Sequence, residues 1–293
     1  MMTGHGALKD ALRRHVETLT VDIGPRNLLF GDSLDRAADY IRDVFEDAGL
    51  EVADQAYDYR GARVANLIAA QPGAAGASAY YVVGAHYDTV PTTPGADDNA
   101  SAVAVLLELA RRLPEIPLRA PLRLVAFTLE ESPAFTTRHQ GSRVFVRACK
   151  RAGERVLGAV VLEMVGYTCP RQDYPLVLQW AGYPKQGNFI GIVANRRSRK
   201  FGRAVLKGFQ KNERLPVESL FVPFRGWVLP ATRLSDHASF WDVGWPALMV
   251  TDTAFFRNPN YHLPNDTIDT LDFGFMAELV ESLTLALAEL PGA

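Results

Sequence analysis

Five short motifs rich in acidic residues and histidine could together bind metal ions. They are HYD (86–88), DD (97–98), EE (130–131), LEM (162–164) and YH (261–262). The first four lie at the ends of predicted strands or in the loops that follow them, and strand ends converge at one edge of an α/β sheet. Any one motif is weak, but five together indicate a site. Imidazole and carboxylate without thiolate favour zinc, manganese or cobalt.

The stretch from Val82 to Ser101 is expected to supply half of a two-metal site. It starts as a buried strand that ends at His86 and Asp88, and a Pro/Gly-rich loop then leads to Asp97 and Asp98. A helix follows directly. One imidazole and three carboxylates are costly to bring together unless a cation compensates their charge. We therefore predict that this stretch forms the centre of the site to which the other motifs contribute.

Strands alternate with helices along the chain, which predicts an α/β fold with one mixed, largely parallel sheet and helices on both faces. We expect one domain over residues 1–293, with an N-terminal helical segment (1–49) packed on it. Ser33 is predicted to cap the second helix, and Gly49 to end it in a left-handed conformation. Helices are predicted over 6–19, 34–48, 102–113, 142–151, 198–212 and 271–290. Strands are predicted over 50–59, 63–72, 80–85, 121–132, 157–167, 174–180, 188–195 and 246–254.

Composition and charge give no sign of a nucleic-acid or membrane partner. The 293 residues are 48% hydrophobic and 22% charged, with a net charge of −2, so neither polyanion has an electrostatic attraction to the whole chain. The basic run over 196–207 is interpreted as a solvated helix face. No window approaches the roughly 18 apolar residues of a membrane span. We expect a soluble, cytoplasmic protein with two free thiols, Cys149 and Cys169.

Five segments together resemble the zinc aminopeptidases of peptidase family M28, in that family's order and from about Gly61 to the C-terminus. They are HYDTVPTTPGADDNASAVAVLLELAR, LEES, VVLEMVGY, SDHASFW and RNPNYH. The resemblance implies a zinc exopeptidase-like three-layer fold and a dinuclear zinc aminopeptidase acting on peptide or aminoacyl substrates. Mn²⁺ or Co²⁺ could replace Zn²⁺. The preferred N-terminal residue, the physiological metal and the oligomeric state are not specified.

The resemblance also implies a role for each metal ligand. Asp98 would bridge two zinc ions. His86 and Glu163 would complete the coordination of one ion, and Glu131 and His262 that of the other. Position 163 departs from the commonest family pattern, where Asp is frequent.

Four further residues receive catalytic or supporting roles from the same resemblance. Glu130 would be the general base, and Asp88 would orient the ring of His86. Asp236 and His237 would act on the transition state or support the ligands; the alternative is that His237 only packs beside a helix N-cap. The loop over 132–141 is longer than the family's usual link and could shape the substrate cleft.

Four aromatic residues flank the proposed ligands, and they either line a specificity pocket or belong to the core. They are Tyr167, Phe255, Phe256 and Tyr261.

Three other functions compete with a dinuclear aminopeptidase. A glutaminyl-peptide cyclotransferase would use the same fold with a single zinc. A metallo-carboxypeptidase would need an arginine for the terminal carboxylate, for which Arg225, Arg233 and Arg257 are candidates. A non-catalytic binding protein is disfavoured because the five ligand positions and the base position are all filled by suitable residues.

Overall fold

The computed structural model describes residues 2–292, in which eight strands form one mixed sheet. In chain order they are β1 (Glu51–Tyr59), β2 (Ala62–Ala70), β3 (Ala79–His86), β4 (Leu122–Phe127), β5 (Arg155–Glu163), β6 (Ile190–Asn195), β7 (Val217–Val222) and β8 (Ala247–Thr251). Their order across the sheet is β1-β2-β4-β3-β5-β8-β6-β7. The pairs β3–β4, β3–β5, β5–β8 and β6–β7 are parallel, and the others are antiparallel. The predicted mixed, largely parallel sheet is confirmed.

Helices cover both faces of this sheet. In chain order they are α1 (Met2–Glu17), α2 (Ser33–Asp47), α3 (Ala102–Arg112), α4 (Gly141–Arg151), α5 (Leu176–Trp180), α6 (Arg199–Phe209), α7 (His237–Asp242) and α8 (Phe273–Glu289). Buried residues of α1, α2, α3, α6 and α8 form the core on one face, and those of α4 and α7 form the core on the other. Of the helices in residues 2–292, none is both long enough and apolar enough to cross a bilayer.

The central strand β3 explains why the sequence before His86 is apolar without interruption. Tyr81 and Val83 lie in the larger core, whereas Tyr80 and Val82 lie in the smaller core on the opposite face. A parallel strand covered by helices on both sides must be apolar at every position. Burial of each such side chain contributes about 1.5–3 kcal/mol, so the strand that carries His86 is firmly fixed.

The predicted set of strands needs two corrections. Residues 174–180 were expected to form a strand, but Leu176–Trp180 is a short helix. Pro175 precedes it, and proline disfavours a strand because it cannot donate to the ladder, whereas its fixed φ suits a helix start. Conversely, β7 was not predicted. It is the edge strand of the sheet, and its residues are mostly half-buried, so it lacks a continuous apolar run.

The start of α2 also differs from the prediction. Ser33 is its first residue, and the Ser33 hydroxyl donates to the carbonyl of Pro25 at 2.7 Å instead of capping the helix. The end of the helix is as predicted, because Gly49 has a φ of +77°. The serine therefore ties the helix to the preceding turn.

The N-terminal segment packs on the domain through a buried histidine. His15 Nδ1 lies 2.6 Å from the hydroxyl of Tyr40, and His15 Nε2 lies 2.9 Å from Glu108 Oε1. Arg111 also donates to Glu108 at 3.1 Å. Both ring nitrogens are therefore satisfied, so His15 has a packing role.

Candidate metal centre

Three neighbouring parallel strands bring four of the predicted residues to one edge of the sheet. His86 is the last residue of β3, and Glu163 is the last residue of β5. Glu130 and Glu131 follow the end of β4, which pairs with β3 in parallel. Because the carboxyl ends of parallel strands lie at the same edge, these side chains meet there.

Asp98 reaches the same place from the turn that precedes α3. Gly95 begins this turn with a φ of +62°, and a Cβ on Gly95 would lie 2.3 Å from the carbonyl oxygen of Asp98. Only glycine fits such a close approach. The two oxygens of Asp266 accept the backbone N–H groups of Asp97 and Asp98 at 2.9 and 3.1 Å. Asp266 thus fixes the turn that carries Asp98.

The predicted metal ligands form two overlapping groups that share Asp98. In the first, His86 Nε2 lies 3.4 Å from Asp98 Oδ1 and 3.5 Å from Glu163 Oε2. In the second, His262 Nε2 lies 3.1 Å from both Asp98 Oδ2 and Glu131 Oε1. Asp98 therefore turns one oxygen to each group, which is the arrangement of a bridging carboxylate.

Within residues 2–292, two buried atoms at this centre have no hydrogen-bond partner. They are His86 Nε2 and Asp98 Oδ1, which face each other in the first group. An unpaired buried polar atom costs about 1–3 kcal/mol. Divalent zinc accepts this mixture of imidazole nitrogen and carboxylate oxygen, and an ion between the two atoms would satisfy both. The side chains therefore fit a metal ion.

The charge balance of the centre points the same way. Burial, and then the charge of Asp98, raise the pKa of Glu131 to about 7. Burial likewise raises the pKa of Glu163. Although burial works in the opposite direction, hydrogen bonds to Asp98 and Glu131 raise the pKa of His262 to about 10. In the absence of a cation these groups share protons; metal binding would displace those protons.

Asp88 connects the two glutamates to the strand that carries His86. Its carboxylate oxygens accept the N–H groups of Glu130 and Glu131 at 2.9 and 3.0 Å. His86 Nδ1 lies 3.2 Å from the Asp88 carbonyl oxygen and 3.5 Å from its carboxylate. A proton on Nδ1 donated to this carbonyl leaves Nε2 bare and directed at the metal site.

Glu130 lies beside the two groups without belonging to either. Its Oε2 is 4.0 Å from His86 Nε2, and only 5% of the residue is exposed. Burial raises the pKa of Glu130 well above its ordinary value. A carboxylate that is near the ligands but outside both groups is positioned to exchange a proton there.

The structure does not bring His237 into either group. It is the first residue of α7 and fully buried, and its Nε2 donates to the carbonyl of Thr232 at 2.8 Å. Its ring packs edge-on against Trp241 with centroids 4.5 Å apart. Burial lowers the pKa of His237 to about 4, so the ring is neutral. Asp236, its neighbour, accepts from Gln140 at 3.0 Å.

Three supporting residues were missed in the sequence. Ser235 donates to Glu163 Oε2 at 2.6 Å, and Asp266 holds the turn that carries Asp98. Arg26, fully buried, binds the same turn, and burial lowers its pKa to about 10. Its guanidinium donates to the carbonyl groups of Leu19, Gly24, Tyr87, Pro94 and Gly95. In the sequence, Ser235 lies within the SDHASFW segment, whereas Asp266 and Arg26 lie outside the five segments and Arg26 stands in an ordinary Gly-Pro turn.

An apolar cavity of about 100 Å³ opens beside the first group. Glu163 lines it at one side, and Tyr261, Phe255 and Phe256 line it near His262. Three of the four aromatic residues predicted for a specificity pocket are thus present. Tyr167 is not among the lining residues.

Comparison with known proteins identifies the family of this chain. The model of Peptidase family M28 matches residues 66–286. The uncharacterized protein YfbL of Escherichia coli (strain K12) is 36% identical in an alignment that covers 97% of this chain and 89% of that protein. Aminopeptidase YwaD of Bacillus subtilis (strain 168) is 26% identical over 71% of this chain, but the match spans only 40% of that protein.

Solved structures show the same fold. BSAP, a zinc aminopeptidase from Bacillus subtilis, superposes with a TM-score of 0.73 at 15% identity, covering 97% of this chain and 95% of that one. Bacteroides thetaiotaomicron glutaminyl cyclase superposes with a TM-score of 0.72 at 18% identity, covering 96% and 98%. At such identities the two likenesses establish the three-layer α/β fold alone, as predicted.

Proposed function

The chain belongs to peptidase family M28. On that premise we propose that the protein binds two zinc ions and removes single residues from the amino ends of peptides. One observation carries the proposal. Asp98 turns one carboxylate oxygen to each of two histidine–carboxylate pairs, 3.4 Å from His86 and 3.1 Å from His262. A centre of this shape would hold two ions with one shared ligand.

His86, Glu163 and Asp98 would hold one ion, and His262, Glu131 and Asp98 the other. Two zinc ions bound there would supply Lewis acidity for attack of water on a peptide carbonyl. The unpaired Nε2 of His86 and Oδ1 of Asp98 support this assignment.

Glu130 would act as the general base. Its Oε2 would accept a proton from the attacking water and then pass that proton to the leaving amine. Its position outside both ligand groups leaves this oxygen free for the transfer. Asp88 would keep Glu130 and Glu131 in place through their backbone N–H groups.

His237 is proposed as a positioning residue. Its contacts with Thr232 and Trp241 would fix the segment in which Ser235 donates to Glu163. It would thereby act on the ligand geometry, not on the substrate.

A named relative and the shape of the cavity favour the amino end of a peptide. Aminopeptidase YwaD of Bacillus subtilis matches 71% of this chain at 26% identity. The apolar cavity next to Glu163 has room for one side chain. Cleavage after the first residue is the activity that these two features support.

Peptides with free and acetylated amino ends provide the test. We expect the zinc-loaded protein to release the first amino acid from an unblocked peptide and to leave the acetylated peptide intact. Metal analysis should give two zinc ions per chain. Equal cleavage of both peptides, or internal cleavage, would overturn the proposal.

A glutaminyl-peptide cyclotransferase is the second candidate, favoured by the likeness to the Bacteroides cyclase over 98% of that chain. It would close an N-terminal glutamine with loss of ammonia and would need one zinc. Ammonia release from a glutaminyl peptide, together with one zinc per chain, would support it against the aminopeptidase.

A carboxypeptidase is disfavoured because its candidate arginines are engaged elsewhere. Arg257 donates to Gln172 and to two backbone carbonyls. Arg233 bonds Asp242 and the carbonyl of Arg225. Arg225 is exposed and donates to the carbonyl of Asp242.

A further inference from the structure

The floor of the apolar cavity is one row of residues that crosses four strands. Glu163 on β5 pairs with Thr251 on β8, which pairs with Gly191 on β6, which pairs with Glu218 on β7. All four line the cavity. Residues in register on adjacent strands point to the same face, so the row runs from a proposed metal ligand at one end to a second acidic residue at the other.

Gly191 keeps the middle of this row open. The absence of a side chain there leaves a channel over the sheet between Glu163 and Glu218. Apolar side chains form the remaining walls; they include Leu178, Phe189, Leu220 and Met249. The cavity is thus an apolar tube with carboxylates at its two ends.

Two polar groups at the far end of the cavity have no partner among the described residues. Tyr174 is only 7% exposed, and its buried hydroxyl makes no hydrogen bond within residues 2–292. Glu218 has neither a hydrogen bond nor an ion pair within residues 2–292 and is half-buried. Tyr183, which also lines the cavity, differs because its hydroxyl donates to the carbonyl of Ser219 at 2.8 Å. Burial raises the pKa of Glu218, and a cation beside it would reverse that cost.

Arg257 does not neutralise these groups. Arg257 contributes to the electrostatics of Tyr174, but its guanidinium donates to Gln172 and to the carbonyls of Tyr167 and Phe189. Its charge is also opposed by that of buried Asp252. The far end of the cavity therefore retains an unbalanced carboxylate.

The length of the row matches a long side chain. Adjacent strands lie about 4.8 Å apart, so the backbones of Glu163 and Glu218 are separated by roughly 14 Å. A lysine or arginine side chain spans about 6–7 Å, and the Glu218 side chain with one hydrogen bond covers most of the rest. A substrate whose amino end lies near Glu163 would place its cationic tip beside Glu218.

We propose that the cavity selects peptides that begin with lysine or arginine: the side-chain stem fills the apolar channel, Glu218 pairs with the terminal charge, and the Tyr174 hydroxyl accepts a hydrogen bond from it. This rests on the proposed aminopeptidase function. It deepens that function by naming the side chain that the protein accepts.

The test compares the p-nitroanilides of lysine, arginine and norleucine, since norleucine has the lysine stem without the ammonium group. We expect the zinc-loaded wild type to have a kcat/KM at least about 10-fold higher for lysine and arginine than for norleucine, because a charge-assisted hydrogen bond is worth that factor or more. Glu218→Gln should lower the lysine-to-norleucine ratio about 10- to 100-fold, and Tyr174→Phe should lower it less. Glu213→Gln, at an exposed glutamate nearby in the chain, is the matched control and should leave the ratio unchanged.

Two results would overturn the proposal: a wild type that prefers norleucine, or a ratio unchanged in Glu218→Gln. If no aminoacyl substrate is cleaved, the proposed function fails, and the pocket is tested by calorimetry with lysinamide and norleucinamide on the zinc-loaded protein. Tighter binding of lysinamide that disappears in Glu218→Gln would support the pocket. Equal binding of the two amides would overturn it.

Discussion

Two places in this protein bury a histidine against carboxylates, and they differ in how completely the polar atoms are paired. At His15, one ring nitrogen meets Tyr40, the other meets Glu108, and Arg111 completes the network. At His86, Nε2 faces carboxylates within 3.5 Å and yet makes no hydrogen bond in the described part of the chain. A network in which every polar atom has a partner stabilises the fold. A network with unpaired buried atoms indicates a site for a ligand.

The two places also differ in charge. The histidine between α1 and α3 has one carboxylate, and an arginine shares it. The centre at the sheet edge gathers Asp98, Glu130, Glu131 and Glu163 around His86 and His262. Surplus negative charge in a buried site needs a cation. Pairing and charge balance together distinguish a structural histidine from a candidate metal ligand.

The largest expected effect comes from replacing Glu130, the proposed proton acceptor at the candidate centre. Glu130→Gln should lower kcat by about 10²–10⁴-fold, because the amide cannot take a proton. Zinc content and melting temperature should stay near those of the wild type, since Glu130 lies outside both ligand groups. Turnover assays and metal analysis on the same preparation check this. Near-normal kcat would rule out Glu130 as the base.

Replacing one carboxylate oxygen of Asp98, the proposed shared ligand, should weaken zinc binding. Asp98→Asn keeps the size of the side chain but leaves only one carbonyl oxygen, so we expect zinc content to fall from two ions per chain to one or fewer. Activity should fall with it. Asp97→Asn is an unsuitable control, because Asp97 accepts from Gly166 and Asn258. Asp35→Asn on exposed α2 surface serves instead. Two ions retained in Asp98→Asn would contradict a shared ligand.

Zinc removal should expose the charge surplus as a dependence of stability on pH. In the metal-free protein the pKa of Glu131 is raised to about 7 and that of Asp236 also to about 7, both mainly by burial. A carboxyl group with a raised folded-state pKa favours folding at low pH, and this contribution is lost as pH rises through that value. Zinc binding gains over the same range because its ligands must lose their protons.

We therefore expect the difference in melting temperature between zinc-loaded and chelator-treated protein to grow as pH rises from about 5 to about 8. Scanning calorimetry at several pH values measures it. A difference independent of pH would mean that the carboxyl groups at the centre stay ionised without metal.

The smallest effect should come from the closed site. His15→Ala leaves Tyr40 and Glu108 with fewer partners and should lower the free energy of unfolding by about 1–3 kcal/mol. Zinc content and kcat should not change. His5→Ala is the control, because His5 is more exposed and lies 3.6 Å from Glu278; its effect should be under about 1 kcal/mol. Loss of zinc in His15→Ala would erase the distinction between the two places.

The sequence predicted the sheet well, and the residues that it proposed for the centre lie together in the structure, because both depend on local patterns. The apolar run before His86 and the acidic residues after β4 and β5 identify strand ends, and parallel strand ends meet. Residues that support the centre through contacts distant in sequence could not be predicted. The neighbours of Arg26 in the chain do not indicate that it binds the carbonyl groups of residues 94 and 95. Ser235 has the sequence context of an ordinary helix-capping serine.

The edge of the sheet was predicted less well than its centre. The central strands are buried on both faces, so hydrophobicity alone identifies them. β7 is half-covered, and its Glu218 and Ser219 interrupt the apolar pattern. The same exposure that hid this strand from the sequence leaves Glu218 at the end of the cavity.

The contacts of Arg26 link the candidate metal centre to the order of events in folding. The turn that carries Asp98 is bound by Arg26 near one end of the chain and by Asp266 near the other. Contacts so far apart in sequence close late, because each requires a long loop to be ordered. Zinc affinity should therefore rise only at the last stage of refolding. In a refolding experiment, uptake of the ion would report when the whole chain has assembled, and would lag behind the formation of the helices.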